Sequence, residues 1–244
     1  MKKIIVVGIG PGNMDRMTGQ ARAAVEEAEV IVGYDLYVQL VAPLIEGKEV
    51  ASTPMKREVE RCRIAVEYAR EGRTVAMVCS GDAGVYGMAG VVMEVAAPYP
   101  DIEVEVVSGV TAACSGAAVL GAPLIHDFAV ISLSDLLTPW EKIEKRLALA
   151  ADADFVLCLY NPSSKKRHDY LQKACDQVLR FRAPETPCGW VKNIGREGEE
   201  YKVCTLREMR EEEVDMFTTV FIGNSQTKVI NGRLVTPRGY NTEG

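Results

Sequence analysis

The chain has 244 residues, of which 48% are apolar and 25% are charged, and its formal net charge is −6. This size allows one large domain or two modest ones with a packed core. The negative charge disfavours nonspecific binding of nucleic acid. No apolar run approaches the roughly 20 residues that cross a bilayer, and the first residues lack the pattern of a signal peptide. We therefore expect a cytoplasmic protein that binds neither nucleic acid nor membranes.

Strand-like and helix-like segments alternate in the first half of the chain. In chain order, the pattern predicts a strand at 3–7, a helix at 17–28, a strand at 30–33, a helix at 58–71, a strand at 74–79, a helix at 87–97, a strand at 103–107 and a helix at 111–120. In the second of these helices Val59, Cys62, Val66 and Ala69 recur at helical spacing and are predicted to face the core. Strands that alternate with helices favour a mostly parallel sheet with helices on its faces.

In the second half of the chain, strands and helices no longer alternate regularly. The pattern there predicts strands at 129–132, 155–160, 187–191, 200–205 and 218–222, with helices at 140–150 and 166–182. Near the end, Asn231-Gly232 is a strong turn signal for a hairpin over 228–233, which brings antiparallel pairing into this half. The fold class is therefore α/β, with two α/β domains, 1–120 and 121–244, built on mixed, mostly parallel sheets.

Seven cysteines are scattered through the chain, at positions 62, 79, 114, 158, 175, 188 and 204. Their odd number and the lack of any Cys-x-x-Cys pair argue against a disulfide framework and against a zinc or iron–sulfur site. Most lie in apolar runs, where cysteine behaves as a small hydrophobe. No metal site is predicted.

Three glycine-containing loops follow apolar strands, the positions where ligands bind in open α/β sheets. The first, Gly8-x-Gly10-Pro11-Gly12, is not a dinucleotide fingerprint, because Asn13 stands at the third glycine position and Pro11 lacks an N–H. A simple tight turn also explains it. The second, residues 80–87, has three glycines that let the backbone approach a ligand, and Asp82 can accept hydrogen bonds from a hydroxyl or an amine. The third, residues 108–113, leads into a small-residue helix, which either a ligand or close helix packing explains.

Together these loops resemble the tetrapyrrole methylase family, the class III methyltransferases. The matching segments are residues 7–12, Tyr34-Asp35, Gly81-Asp82-Ala83 and residues 108–112. Residues 80–90, 121–138 and 160–164 further resemble the subgroup that methylates carbon 17 of precorrin-3B or cobalt-precorrin-3, in which alanine also follows the Gly-Asp pair.

The resemblance implies the class III methyltransferase fold with an active site in the interdomain cleft. It implies S-adenosylmethionine as cofactor, S-adenosylhomocysteine as product, C17-methylation coupled to ring contraction in cobalamin biosynthesis, and a homodimer. The cofactor-binding positions that it implies are Pro11, Gly81, Asp82, Ala83, Val85, Thr111, Ala112, Tyr160, Asn161, Trp190 and Thr218.

The substrate implied by the resemblance carries acetate and propionate arms, which basic side chains would hold. Candidate substrate-binding residues are Tyr34, Asp35, Lys56, Arg57, Lys166 and Arg167, with Lys192 and Arg238 as further cations. Clusters such as Lys56-Arg57 and Lys165-Lys166-Arg167 are also common on solvated faces, and that alternative stays open.

Methyl transfer from a sulfonium needs positioning more than acid–base help, but ring contraction requires proton transfers. The chain has only two histidines. We hypothesise that His126 is the catalytic acid–base, or contacts a metal in the substrate, with Asp127 or Asp135 orienting it. A histidine that caps local backbone is the alternative, and His168 is interpreted as a surface residue.

Three other functions remain open on the sequence alone. The same scaffold methylates other corrin carbons, uroporphyrinogen, diphthine precursors or ribosomal RNA, and the acidic balance disfavours the RNA substrate. A dinucleotide-dependent oxidoreductase would bind NAD(P)H tightly. A noncatalytic tetrapyrrole-binding module would give no methylated product.

Overall fold

The structure is a computed structural model that describes residues 2–164 and 167–241. The chain divides into two compact units, Met1–Ala112 and Ala113–Gly244. This division follows the first residue of the helix at Ala112–Leu120, and the domain boundary at residues 120/121 stays a prediction. Packing explains where the division falls, because a Cβ atom placed on Gly116 of that helix would lie 2.9 Å from the ring of Phe221.

The first unit is built on a five-stranded sheet in which every pair of neighbours is parallel. The strand order is β3-β2-β4-β1-β5. In chain order, its elements are β1 Lys3–Gly8, α1 Gly19–Glu27, β2 Val30–Tyr34, α2 Asp35–Leu40, β3 Glu49–Thr53, α3 Glu58–Arg70, β4 Thr74–Cys79, α4 Ala89–Ala96 and β5 Glu103–Val107.

Both faces of this sheet are buried, as expected for a parallel sheet. Ile4 and Val6 of β1 belong to the core cluster that also holds apolar residues of α3 and α4. Ile5 and Val7 belong to the cluster that contains residues of α1. Since successive side chains of a strand point to opposite faces, the apolar run of β1 is explained by helices on both sides.

The second unit mixes parallel and antiparallel strands, which confirms the mixed sheet predicted for this half. Its main sheet has the order β10-β9-β11-β8-β7, with only β7 and β8 parallel. The elements are α5 Ala112–Leu120, β6 Gly121–Ala122, β7 Phe128–Ser132, α6 Trp140–Asp152, β8 Val156–Tyr160, α7 Tyr170–Val178, β9 Pro187–Lys192, β10 Glu200–Thr205, α8 Leu206–Met209, β11 Thr218–Ile222, β12 Lys228–Ile230 and β13 Arg233–Val235.

This sheet is also covered on both sides. Ile143 and Leu147 of α6 share a cluster with Leu157 of β8 and Val220 of β11, whereas the neighbouring Phe221 faces α5. The predicted hairpin is confirmed: β12 and β13 pair antiparallel around Asn231-Gly232. Both turn residues have positive φ, 48° and 75°, as a type I′ turn requires.

Some local predictions were wrong. Val59 is 47% exposed, and α3 instead buries Arg61 beside Cys62. The helix predicted over 166–182 begins only at Tyr170 and ends at Val178. Within the part of the chain that the structure describes, no helix combines the length and apolar character needed to span a bilayer.

Candidate functional site

The three glycine loops follow three neighbouring strands of the first sheet, β4, β1 and the edge strand β5. Because these strands are parallel, their carboxyl ends meet at one edge, and the loops that begin after Gly8, Cys79 and Val107 lie side by side. In open α/β sheets this edge, beyond the carboxyl ends of the strands, is where ligands bind.

The loops touch through their backbones. Gly10 N donates to Gly81 O at 3.0 Å, and Gly81 N donates to Gly10 O at 2.7 Å. A Cβ atom on Gly109 would lie 2.2 Å from Gly81 O and 2.4 Å from Gly8 O. Only glycine permits this approach, so close loop packing is one reason for the glycines at positions 8 and 109.

Gly81 has a different role. Its φ is 68°, which disfavours any other residue. A Cβ atom there would meet nothing nearer than 3.8 Å, the distance to Ala112 N and Thr111 Cα. Within the first unit, the space between Gly81 and the backbone of Thr111 and Ala112 is therefore wide enough for a methyl group.

The Asp82 carboxylate organises the second loop from within. Oδ1 accepts from Gly84 N at 2.8 Å and from Val85 N at 3.1 Å, and Oδ2 accepts from Gly109 N at 3.0 Å. The sequence suggested that Asp82 binds a ligand hydroxyl or amine. In the structure the Asp82 carboxylate instead accepts hydrogen bonds from backbone N–H groups, and these hold the second loop against the third.

The other cofactor candidates of the first unit differ in accessibility. Val85, Thr111 and Ala112 are partly exposed, the last two beside Gly81, and Pro11 is buried. Ala83 is fully buried in the core, and its carbonyl accepts from Ala89 N at 3.0 Å. Its side chain therefore serves packing, which accounts for a small residue at this position.

Four substrate candidates lie at the same sheet edge, because they follow β2 and β3. Tyr34 ends β2 and packs edge-to-face on Tyr37, with ring centroids 5.1 Å apart, and Asp35 begins α2. Lys56 is exposed with a φ of 68°. Arg57 pairs with Glu60 at 2.7 Å on the surface.

In the second unit, four cofactor candidates lie on the three central strands. Tyr160 ends β8 and Asn161 follows it, while Thr218 begins the antiparallel neighbour β11. Thr218 also pairs with Lys192, two residues beyond Trp190 on β9. The topology thus brings Tyr160, Asn161 and Thr218 to one sheet edge, with Trp190 near it.

Their side chains are already engaged. The Tyr160 hydroxyl accepts from Ala113 N at 2.8 Å, at the start of α5. Asn161 Nδ2 donates to Ser132 Oγ at 3.0 Å, and the Trp190 indole N–H donates to Glu212 at 2.9 Å. The Thr218 hydroxyl donates to Asp215 at 3.0 Å. Because these side-chain groups are hydrogen-bonded within the protein, the backbone of Trp190 and Thr218 is what they offer a ligand.

The catalytic candidates do not join this group. His126 and Asp127 precede β7, whereas Ser132, at the other end of β7, pairs with Tyr160. Four residue steps of a strand separate the ends of β7 by about 13 Å. Asp127 N donates to His126 Nδ1 at 2.9 Å, the local backbone contact that was the alternative interpretation. The catalytic role of His126 and Asp127 stays a prediction without support from their position.

Asp135 does not orient His126. Its carboxylate accepts from the Tyr170 hydroxyl at 2.6 Å and pairs with Arg167. The Tyr170 hydrogen bond, followed by the charge of Arg167, holds the pKa of Asp135 below its ordinary value. Arg167 is thus partly neutralised, and Lys165 and Lys166 lie outside the described residues.

The remaining cations and His168 are dispersed. Lys192 pairs with Asp215 at 2.9 Å, at the edge that holds Thr218. Arg238 donates to Ile125 O at 3.3 Å, close in sequence to His126. His168 is exposed.

Residues 3–210 match the family of tetrapyrrole (corrin/porphyrin) methylases. The chain belongs to this family. The tetrapyrrole methylase fold implied by the sequence motifs is thereby confirmed.

Two curated relatives are similar to this tetrapyrrole methylase over nearly its whole length. A probable cobalt-factor III C(17)-methyltransferase of Salmonella typhimurium is 49% identical over 236 residues, which cover 96% of this chain and 98% of the relative. A cobalt-factor III methyltransferase of Priestia megaterium is 46% identical over 98% of this chain, but the match spans only 45% of that longer protein.

Solved structures of methyltransferases also match this chain. The crystal structure of the methyltransferase CobJ matches with a TM-score of 0.89 and 37% identity, covering 96% of this chain and 99% of that one. A uroporphyrin-III C-methyl transferase of Thermus thermophilus, complexed with S-adenyl homocysteine, has a TM-score of 0.71 at 23% identity over 91% of this chain and 92% of its own. At that identity it supports the fold alone.

The motifs of this tetrapyrrole methylase did not reveal every residue at the second-unit edge. Ser132 accepts from Asn161, and Tyr170 binds Asp135, yet neither was singled out. The available signal for Ser132 was its position, because it is a serine that ends an apolar strand. Tyr170 gave no such signal, since the sequence pattern placed it inside the helix predicted over 166–182, whereas it is the first residue of α7.

Proposed function

We propose that this protein transfers a methyl group from S-adenosylmethionine to carbon 17 of a cobalt-containing tetrapyrrole, coupled to ring contraction in cobalamin biosynthesis. The observation that carries the proposal is the 49% identity, over nearly all of both chains, to a probable cobalt-factor III C(17)-methyltransferase. That relative's name favours a cobalt-containing substrate over metal-free precorrin-3B. We further propose a cytoplasmic homodimer, as the family resemblance implies.

The residues of the first unit fit the cofactor. The space beside Gly81 is one that a Cβ atom would fill, and it is bordered by the backbone of Thr111 and Ala112. Gly84 is exposed next to it. In the second unit, Tyr160, Asn161, Trp190 and Thr218 are the proposed contacts. That the site lies in a cleft between the domains stays a prediction.

The bound cofactor supplies an electrophilic methyl group on a sulfonium. The work of the chain is to hold that group in line with the ring carbon, and positioning of this kind is worth roughly 7–11 kcal/mol. Asp82 serves it by fixing the second loop through three backbone N–H groups. Because the nucleophile is a ring carbon, no serine, cysteine or lysine nucleophile is needed.

The substrate's carboxylate arms need cations. In the first unit, Lys56 and Arg57 project from the loop after β3, at the edge that holds the glycine loops, and Tyr34 and Asp35 follow the neighbouring strand. In the second unit we propose Arg167, together with Lys166. Arginine is suited to carboxylates because its fork makes two parallel hydrogen bonds.

The test is incubation with labelled S-adenosylmethionine and cobalt-precorrin-3 or cobalt-factor III without oxygen. We expect a product heavier by one CH2 with a changed visible spectrum, and S-adenosylhomocysteine in equal amount. Precorrin-3B with oxygen, uroporphyrinogen III and NADPH serve as comparison ligands. Transfer to uroporphyrinogen but not to the cobalt compounds would refute the C17 assignment, and binding of tetrapyrrole without transfer would indicate a noncatalytic module. Light scattering measures the oligomeric state.

A further inference from the structure

The loop at residues 133–139 presents two leucines to solvent. Leu136 is 58% exposed and Leu137 is 98% exposed. Single exposed leucines are ordinary on protein surfaces. What distinguishes this pair is that the loop around it is held firmly on both sides.

The loop is anchored at its start by the strand that it leaves. Leu133 is fully buried, and its N–H donates to Tyr160 O at 2.9 Å. Ser134 N donates to Ser132 Oγ at 3.2 Å, the same oxygen that accepts from Asn161. The loop is thus bonded directly to the proposed cofactor residues of the second unit.

Asp135, next to the leucines, is a second anchor. It binds the Tyr170 hydroxyl and pairs with Arg167. Tyr170 is itself fixed, because its ring packs on Trp140 with centroids 4.4 Å apart and lies under the Lys173 ammonium at 5.1 Å. Since Trp140 begins α6, both ends of the loop are tied to ordered elements.

We propose that Leu136 and Leu137 contact the apolar face of the tetrapyrrole ring and set the affinity for it, an inference that rests on the proposed function. A tetrapyrrole has an apolar ring surrounded by carboxylate arms, and this loop offers two exposed apolar side chains directly after Asp135, which holds the guanidinium of Arg167. Two leucines are too few for a stable protein–protein interface, which buries about 800 Å² per partner.

The experiment compares Leu136→Ser/Leu137→Ser with a matched control, Leu149→Ser. Leu149 is also 58% exposed in the second unit, but it lies on α6 and away from the loop. A second double variant, Leu136→Met/Leu137→Met, keeps the apolar surface. Cobalt-precorrin-3 is titrated anaerobically without methyl donor, by its visible spectrum, and S-adenosylhomocysteine is titrated by calorimetry.

We expect the serine double variant to raise the Kd for cobalt-precorrin-3 about tenfold, because the contact of two leucines with the ring is lost. Its Kd for S-adenosylhomocysteine and its Tm should match the wild type. Leu149→Ser should change neither Kd, and the methionine variant should bind the tetrapyrrole nearly as well as the wild type.

An unchanged tetrapyrrole Kd in the serine variant overturns the inference. If light scattering instead shows a lower molar mass for that variant with its Kd unchanged, the leucines belong to a contact with a second copy. This test can fail independently of the proposed function. A wild type that binds cobalt-precorrin-3 but does not methylate it refutes the function, while the comparison of Kd values still shows whether Leu136 and Leu137 contact the tetrapyrrole. A wild type that binds no tetrapyrrole overturns both.

Discussion

The glycines at positions 8, 81 and 109 show how single residues shape the first-unit loops. Gly8 and Gly109 permit backbone contact, since a Cβ on either would lie within 2.6 Å of a backbone atom of another loop. Gly81 permits a positive φ and leaves open space. The first two are therefore required for the fold of the loops, and the third bears more directly on a ligand.

Replacing Gly109 by alanine should destabilise the protein. The new methyl would overlap Gly81 O and Gly8 O, and forced overpacking costs about 1–3 kcal/mol. The free energy of unfolding in urea measures the loss, and calorimetry should show weaker binding of S-adenosylhomocysteine. Gly90→Ala is the matched control: Gly90 is the second residue of α4 with nothing within 4 Å of the added methyl, so the replacement should not destabilise the protein and should stabilise it by at most about 0.5–1 kcal/mol. Equal stabilities of the two variants would contradict this account.

Asp82 should affect both stability and cofactor binding, because its carboxylate holds the second glycine loop in place. Asp82→Ala removes the acceptor for three backbone N–H groups, and unsatisfied groups of this kind cost about 1–3 kcal/mol in total stability. We expect S-adenosylhomocysteine to bind at least about tenfold more weakly. Asp82→Asn keeps one acceptor oxygen and should lie between the two.

The control is Asp101→Asn, because Asp101 is an exposed partner of Lys2 before β5, at the opposite edge of the same sheet. It should leave the Kd for S-adenosylhomocysteine unchanged. If Asp82→Ala bound this ligand as tightly as the wild type did, the loop held by Asp82 would have no part in the cofactor site.

Regular elements were the most predictable part of the fold. Strands β4, β5, β10 and β11 occur at the residues that the apolar pattern predicted, because each has a periodic or continuous apolar run. Strand β3 was missed because Glu49–Thr53 is a polar edge strand with a mostly exposed surface. Local periodicity cannot identify a strand whose stability comes from pairing with β2.

The candidate site was predictable to a similar degree. Parallel pairing of neighbouring strands brings their carboxyl ends together, so the first-unit loops that follow β4, β1 and β5 meet at one edge. The position of His126 was not predictable in this way. Its distance in sequence from Tyr160 gave no sign that β7 and β8 run parallel, and this pairing places His126 at the opposite sheet edge.

The loop between β7 and α6 should depend on pH through Asp135. The Tyr170 hydroxyl and Arg167 lower the pKa of Asp135 from its ordinary value of 3.8. A carboxylate with a lowered pKa in the folded state stabilises the protein above the pKa of the unfolded chain. That contribution is lost as the pH falls through the folded-state value.

The measurement is the difference in unfolding free energy between the wild type and Asp135→Asn. It should be constant between about pH 7 and about pH 5 and shrink below about pH 4. Tyr170→Phe removes only the hydrogen bond and keeps the ion pair, so the pH dependence should become smaller without vanishing. A difference that does not vary with pH would mean that the negative charge of Asp135 does not stabilise this loop.

The distribution of cysteines reflects the division of the whole chain into two compact units. Cys114 is exposed, and the other six thiols are buried. Cys62 and Cys79 lie in the core of the first unit, where burial raises their pKa values to about 11 and about 12. The four remaining buried thiols, Cys158, Cys175, Cys188 and Cys204, lie in the second unit.

A thiol reagent should therefore label one cysteine quickly in the native protein. Thiolates are the reactive form, so buried thiols with raised pKa values react only after the surrounding core opens. We expect Cys114→Ser to abolish the fast phase, and peptide mapping by mass spectrometry to place the two first-unit thiols in one slow class and the four second-unit thiols in another. Separate rates are expected because each unit has its own core and can open as a cooperative unit. A single rate for all six buried thiols would mean that the two cores open together, and a second fast thiol would contradict the burial of the cysteine that it identifies.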